Sequence, residues 1–303
     1  MHREAQNKPQ TEAKENKNKK LPKCPKCNSF ETVKKGYRQT QHRGKIQRYL
    51  CRSCDKSFTI DEGFYRMRNH EAKITKAIDL YFSNLSSRKV RNNFKRHEDV
   101  KVSHVSVLDW CRKYVLKVQR FVDKLNPTLS GHCYADDTEI DRQGQKDHFW
   151  ACVDWGTRYI NAIHYSVISG YKEASVFLSK TKKNLPKYIQ TDAAKFYPRA
   201  FRKSFYDNKL HGLKVEHKTV NFYKDKKHNV RIETVFMKIK DRVDDFRGLK
   251  ALWSAPILLA GIVLQHNYIE EHTTTRKLPS ELAELKLDTG MNRWLGLIRL
   301  ASS

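Results

Sequence analysis

The sequence predicts a mixed α/β protein: a domain of element order βββαβαβα over residues 130–285, preceded by a small metal-bound β-ribbon (23–62) and an all-α module (70–126). Three observations predict it. Two Cys-x-x-Cys pairs lie early in the chain, and the apolar spacing turns helical from Glu71 to Leu125. After Pro127 and Gly131, β-branched and aromatic runs alternate with helical stretches.

At 303 residues the chain exceeds a usual single domain, so several modules are expected. Lys and Arg number 60 against 33 Asp and Glu, a net charge of +27, which calls for a polyanionic partner. A membrane surface would also attract such charge. However, no run of about 18 apolar residues appears, and no amphipathic stretch gathers its basic residues on one face, so nucleic acid is favoured. Residues 1–22, which begin MHREAQNKPQTEAKENKNKK, lack the apolar core of a signal peptide and read as a basic disordered arm. The expected location is cytoplasmic and nucleoid-associated. Cys111, Cys133 and Cys152 stand singly in apolar patterns, a usage that suits a reducing compartment.

In the ribbon, Cys24 and Cys27 (CPKC) and Cys51 and Cys54 (CRSC) each set two thiolates on one tight turn. Two such turns complete a tetrahedron around Zn²⁺ at about 2.3 Å per Zn–S bond. The stretches ETVKKGYRQT and KIQRYL alternate as two strands, with Gly36 and Gly44 at turn or bulge positions. About 35 residues cannot bury enough apolar surface to fold unaided, so zinc here is structural. Lys34, Lys35, Arg38, Arg43, Lys45, Arg48 and Arg52 make DNA contact by the ribbon a separate expectation.

In the helical module Ile74, Ala77, Ile78, Tyr81 and Phe82 form one stripe, and Val105, Leu108, Trp110, Val115 and Leu116 populate a later helix. Ser86 and Ser103 are expected N-caps that divide the segment into three helices, an arrangement that suits a helix-turn-helix. In that reading Ser103, His104 and Ser106 face the major groove while Arg112 and Lys113 reach phosphates. The cluster Arg88, Lys89, Arg91, Lys95 and Arg96 flanks the turn. The plainer alternative is a helical linker or dimerisation element.

The last domain opens with HCYADDTEI, HFWACVDWG and RYINAIHYSVIS, three strands of a meander. A helix over 172–182, the strand KYIQTD, the helical AAKFYPRAFRKSFY, the strand LKVEHKT and the helix NVRIETVFMKIKDRVDDF follow. This is the order of the RNase H-like fold, which brings the end of the fourth strand beside the centre of the first. Asp136 and Asp192 then converge. Glu233 completes an acidic set from a helix whose buried stripe is Ile232, Val235, Phe236, Ile239 and Val243. Bordering that stripe, Glu233 is expected to lean inward, and Met237 and Lys240 continue its row, which makes Lys240 a phosphate-positioning candidate. Three carboxylates suit two hard cations, Mg²⁺ or Mn²⁺, about 3.5–4 Å apart. Spacing alone leaves Asp136 and Asp137 open as the first acid, with Glu139, Asp141 and Asp154 nearby.

Trp253 and APILLAGIVL read as a core helix and residues 286–303 as a tail. His132, His148, His164 and His228 read as strand or surface histidines, His228 and Asn229 lying close to Glu233.

Over roughly residues 24–285 the chain resembles the insertion-sequence DDE transposases, specifically the insertion-sequence-six group. YADDT is similar to that group's first-aspartate strand, FWACVDWGTRYI to the strand pair after it and IQTDAAKFYPRA to its second-aspartate segment. HNVRIETVFMKIKDRVDDFRGLKALWSA is similar to its glutamate helix, and HNYIEEHTTTRKLPSELA matches in character. The resemblance implies Asp136, Asp192 and Glu233 as the catalytic triad and chooses Asp136 over Asp137, where the group usually carries Glu. The interval between Asp192 and Glu233 is long for the group, so NFYKDKK reads as an inserted loop. It further implies recognition of terminal inverted repeats, strand transfer from a 3′-hydroxyl, and a dimer or larger synaptic assembly. Two other readings are a domesticated DNA-binding regulator that no longer cuts and an RNase H-like structure-specific nuclease. Intact acids oppose the first, and dedicated N-terminal readers oppose the second.

Overall fold

The computed structural model describes residues 21–41, 44–98, 101–220, 230–246 and 248–302. Most of the basic arm, Arg43, the NFYKDKK segment, His228 and Asn229 lie outside them. The chain divides into two compact units, Met1–Asp61 and Glu62–Ser303.

The first unit is an antiparallel sheet of β1 (Thr32–Thr40), β2 (Gly44–Cys51) and β3 (Ser57–Thr59), in that order. Both expected glycines act on the backbone: Gly44 turns the hairpin at φ +65°, and Gly36, at φ +69°, lies in the bulge that shifts register between Lys34 and Tyr37. Among its described residues the buried apolar side chains are Cys24 and Cys51 alone, so no packed core holds this unit.

The second unit begins with α1 (Glu71–Phe82), α2 (Ser87–His97) and α3 (His104–Val122). Ser86 Oγ accepts from Lys89 N (3.3 Å) and Ser103 Oγ from Ser106 N (3.0 Å), the side-chain caps that satisfy orphan helix N–H groups. The α1 stripe is buried as its spacing predicts. The α3 stripe is not the expected one. Its inner face, packed into the core shared with the neighbouring helices, is Val107, Trp110, Cys111, Tyr114, Val115, Val118 and Val122, which leaves Val105 and Leu116 exposed.

The sheet comprises β4 (His132–Arg142), β5 (Gln145–Asp154), β6 (Ile160–Ser166), β7 (Tyr188–Asp192) and β10 (Glu216–Val220), in the order β10-β7-β4-β5-β6. A two-residue hairpin, β8 (Tyr206–Asp207) with β9 (Gly212–Leu213), precedes its last strand. The first three strands run antiparallel, while β7 joins β4, and β10 joins β7, in parallel. This is the RNase H-like topology. Cys133, Ala135, Trp150 and Cys152 pack one face against α4 (Tyr171–Lys180) and α5 (Tyr197–Phe205). Ile140, Phe149, Ala151 and Val153 pack the other against α6 (Val230–Asp245) and α7 (Ala255–Tyr268).

Helices α1–α3 contribute to that second core, so residues 70–126 and 130–285 form one unit rather than separate modules. The expected tail is likewise part of the core. RWLGLIRL forms α9 (Arg293–Leu300) after the short α8 (Pro279–Leu282), and its Trp294, Leu297 and Ile298 are buried, Trp294 stacking on Phe82 at 5.7 Å. APILLAGIVL is a core helix, with Gly261 so close beneath Phe82 that a Cβ would sit 2.1 Å from its ring. Trp253, by contrast, is 63% exposed just before that helix. Among the described residues no helix is long and apolar enough to cross a membrane.

Candidate active site

Register brings two of the acids together. Strands β4 and β7 pair in parallel from His132 opposite Tyr188 to Tyr134 opposite Gln190, and continuing that register two residues past its last pair sets Asp136 level with Asp192, whose charge acts on it. Strand alternation then separates Asp136 from its neighbour. Asp136 pairs with Ala151, which packs into the α6/α7 core, whereas Asp137 pairs with Trp150, which packs into the α4/α5 core. Asp136 thus shares the sheet face that α6 covers, and α6 carries Glu233 in its first turn. Asp137 is engaged elsewhere, accepting a hydrogen bond from His148 Nδ1 at 2.8 Å.

Burial, reinforced by the charge of Asp192, pushes the Asp136 carboxyl up to about 7; Asp137 and Glu233 push the same way, against a hydrogen bond from the Asp137 N–H. Burial also raises Asp192, offset by the Ala194 N–H that donates to its Oδ1 at 3.2 Å. Glu233 does not lean inward as expected. It is exposed, on one row with the equally exposed Met237 and Lys240, yet its charge reaches Asp136.

One residue that the sequence reading missed adjoins these acids. Tyr197 is fully buried on α5, its hydroxyl has no hydrogen-bond partner among the described residues, and burial raises its pKa, with Asp136, Asp137 and Asp192 adding to the shift. The signal was available as an aromatic one turn beyond Asp192 in DAAKFY.

A pH dependence follows. Asp136 in the metal-free fold prefers its proton, so its stabilising contribution is full below an unfolded pKa of 3.8 and is lost as pH rises through about 7. Asp136→Asn should therefore stabilise the metal-free protein by on the order of 2 kcal/mol more near pH 8 than near pH 5. Denaturant unfolding at both pH values checks this, and equal gains at both would contradict it.

The four cysteines form the second cluster. Their sulfurs all lie within 4.8 Å of one another, with Cys24 to Cys54 at 3.7 Å and Cys27 to Cys51 at 3.5 Å. A tetrahedron with Zn–S bonds of about 2.3 Å has edges of about 3.8 Å, so the donor set fits zinc. Backbone N–H groups of Cys27 and Lys26 help lower the Cys24 thiol to about 6, favouring the thiolate that zinc needs. Among the described residues this is the only set of three or more such donors so closely gathered.

The expected DNA-facing residues differ in freedom. Arg88, Lys89 and Arg91 are exposed on α2, Arg91 donating to Asn92 Oδ1. The Ser103 and Ser106 hydroxyls lie 2.9 Å apart at the α3 cap, and His104 is half-buried beside them. Arg112 is half-buried. Its Nε donates to Ser254 Oγ (2.9 Å) and its guanidinium lies 4.8 Å from the Trp253 ring.

A family model described as a DDE domain matches residues 131–272. Among solved structures the chain is similar to the simian T-cell lymphotropic virus intasome in complex with the PP2A regulatory subunit B56 gamma. That match has 15% identity and a TM-score of 0.38 and covers 68% of this chain and 72% of that one. It is also similar to the HTLV-2 integrase catalytic core domain in complex with magnesium, in a dimeric form (15% identity, TM-score 0.36, 52% of this chain and 97% of that one). A trimeric form of the same core matches at 14% identity and a TM-score of 0.35, with the same coverage. No curated protein matches.

Proposed function

We propose, for a chain whose residues 131–272 match a DDE-domain family model, that it is an insertion-sequence transposase that binds the terminal inverted repeats of its own mobile element and cuts and rejoins them. The observation that carries this reading is the level placement of Asp136 and Asp192 on adjacent parallel strands, on the sheet face covered by the helix that carries Glu233. Such carboxylates repel one another, and the raised pKa of Asp136 records that repulsion together with burial.

The donor set is all oxygen and carboxylate-rich, which fits Mg²⁺ or Mn²⁺. Asp136, Asp192 and Glu233 would hold two such ions, which when bound stabilise the attacking and leaving oxygens of an in-line displacement. The protein then needs no covalent nucleophile of its own. The Ala194 N–H orients Asp192, and Lys240, further along the Glu233 row, meets a phosphate of the bound strand. His148 engages Asp137 on the opposite sheet face.

Helices α1–α3 serve as a helix-turn-helix, with Ser103, His104 and Ser106 toward base edges and Arg88, Lys89 and Arg91 on phosphates. Arg112 supports this arrangement from its bond to Ser254. Holding two element ends together calls for a dimer or larger assembly. Replacing Arg88, Lys89 and Arg91 by Ala should weaken DNA binding regardless of sequence and reduce the salt slope by about 3, near 0.9 per phosphate contact. Titrations across a salt series check this, and an unchanged slope would remove these residues from the interface.

The function itself is tested with the full chain, Mg²⁺ or Mn²⁺, and DNA that flanks the gene, comparing wild type with Asp192→Asn. Wild type should nick and join while the variant only binds. Binding without metal-dependent nicking in wild type would favour the regulator, and cutting without joining would favour the structure-specific nuclease.

A further inference from the structure

We infer that the sheet face carrying Asp136 and Asp192 also holds a stacking subsite for an unpaired DNA base, built from Trp155, Tyr134 and Arg231. The inference rests on the reading of the acids as a DNA-cutting site and names what lies beside them.

Tyr134 precedes Asp136 by two residues and so shares its face of β4. Trp155 follows β5 directly, and its backbone N–H donates to the His132 carbonyl at 2.7 Å, which ties the residue to the start of β4. The two rings lie 5.4 Å apart at 40°. Arg231, two residues before Glu233, sets its guanidinium 3.7 Å from the Trp155 ring centroid. A tryptophan serving only the core would be covered, whereas Trp155 is 42% exposed.

The same chemistry continues across the neighbouring strands. His132 stacks on Tyr188 at 4.4 Å, and Lys218 Nζ lies 3.6 Å from the Tyr188 centroid. By register Tyr188 shares a face of β7 with Asp192, and Lys218 lies opposite Gln190 on the same face. Rings and cations therefore alternate beside the acids.

Aromatic faces interleaved with cations bind single-stranded nucleic acid, because every base has a π-face while the cations meet the backbone. Bases inside a duplex are stacked on one another and offer no free face, so this subsite takes a base unpaired or extruded next to the phosphate at the acids. A duplex-only surface would need the cations but not the rings.

The test measures binding of the full chain to a fluorescein-labelled oligothymidylate and to an abasic strand of equal length, using wild type, Trp155→Ala and Trp155→Tyr. Trp155→Ala should weaken oligothymidylate binding about tenfold, leave the abasic strand within about twofold, and be largely rescued in Trp155→Tyr. Equal losses on both strands, or no loss on oligothymidylate, would overturn the subsite. Nicking by the same preparations is read separately. Cutting with Trp155-independent binding removes the subsite and spares the function, while Trp155-dependent binding without cutting supports the subsite and removes the cleavage reading.

Discussion

Asp136→Asn should lower metal-dependent DNA cleavage by on the order of a thousandfold or more, while Asp137→Asn should retain it within about tenfold. The two residues are adjacent and chemically identical, so the contrast isolates geometry. Asp136 is level with Asp192 on the face covered by α6, and its carboxyl is raised to about 7 by burial and by its acidic neighbours. Asp137 projects to the other face and bonds His148, so its neutral isostere gives up one partly buried pairing rather than a metal-facing oxygen. Single-turnover cleavage of end-labelled DNA, with binding measured in parallel, separates lost chemistry from lost affinity. Cleavage surviving in Asp136→Asn but lost in Asp137→Asn would reverse the assignment.

Removing zinc should unfold the ribbon and spare the rest of the chain. The Met1–Asp61 unit buries Cys24 and Cys51 as its only apolar side chains among the described residues, whereas the Glu62–Ser303 unit has two apolar cores. A structural zinc site contributes about 10 kcal/mol or more to folding, far beyond what the short strands β1–β3 provide. In the full chain, a chelator or Cys54→Ser should open residues 24–59 to proteases while the Glu62–Ser303 fragment persists. Metal analysis should find about one zinc per chain. A ribbon that remains protected after zinc is removed would contradict this account.

How much was legible in the sequence depended on how local each determinant is. The α6 stripe from Ile232 to Val243, the caps Ser86 and Ser103 and the two ribbon glycines follow from near-neighbour chemistry, and each is found where its spacing points. The choice between Asp136 and Asp137 was not legible, because alternation only says that they face opposite ways. Which face α6 covers is a tertiary fact. The bond of Arg112 to Ser254 was not legible for a similar reason, since that partner lies far along the chain.

The misread C-terminus has a different cause. RWLGLIRL is short and follows polar LDTGMN, so little in its own pattern separates a fraying tail from a helix pinned by Trp294 on Phe82. Trp253 erred in the opposite direction, being apolar in type but exposed immediately before the buried helix. Val105 and Leu116 fell off the buried face because the side of α3 that is covered is chosen by the helices packed on it, which its own spacing does not reveal.

The central claim is that Asp136, Asp192 and Glu233 hold the divalent cations on one sheet face. An anomalous difference map from crystals of the protein grown with Mn²⁺ tests it most directly. The account predicts manganese bound by carboxylate oxygens of Asp136 and Asp192, with Glu233 completing the set. Manganese bound instead by Asp137 and His148, or absent from the face that carries Asp136 at saturating Mn²⁺, would contradict it.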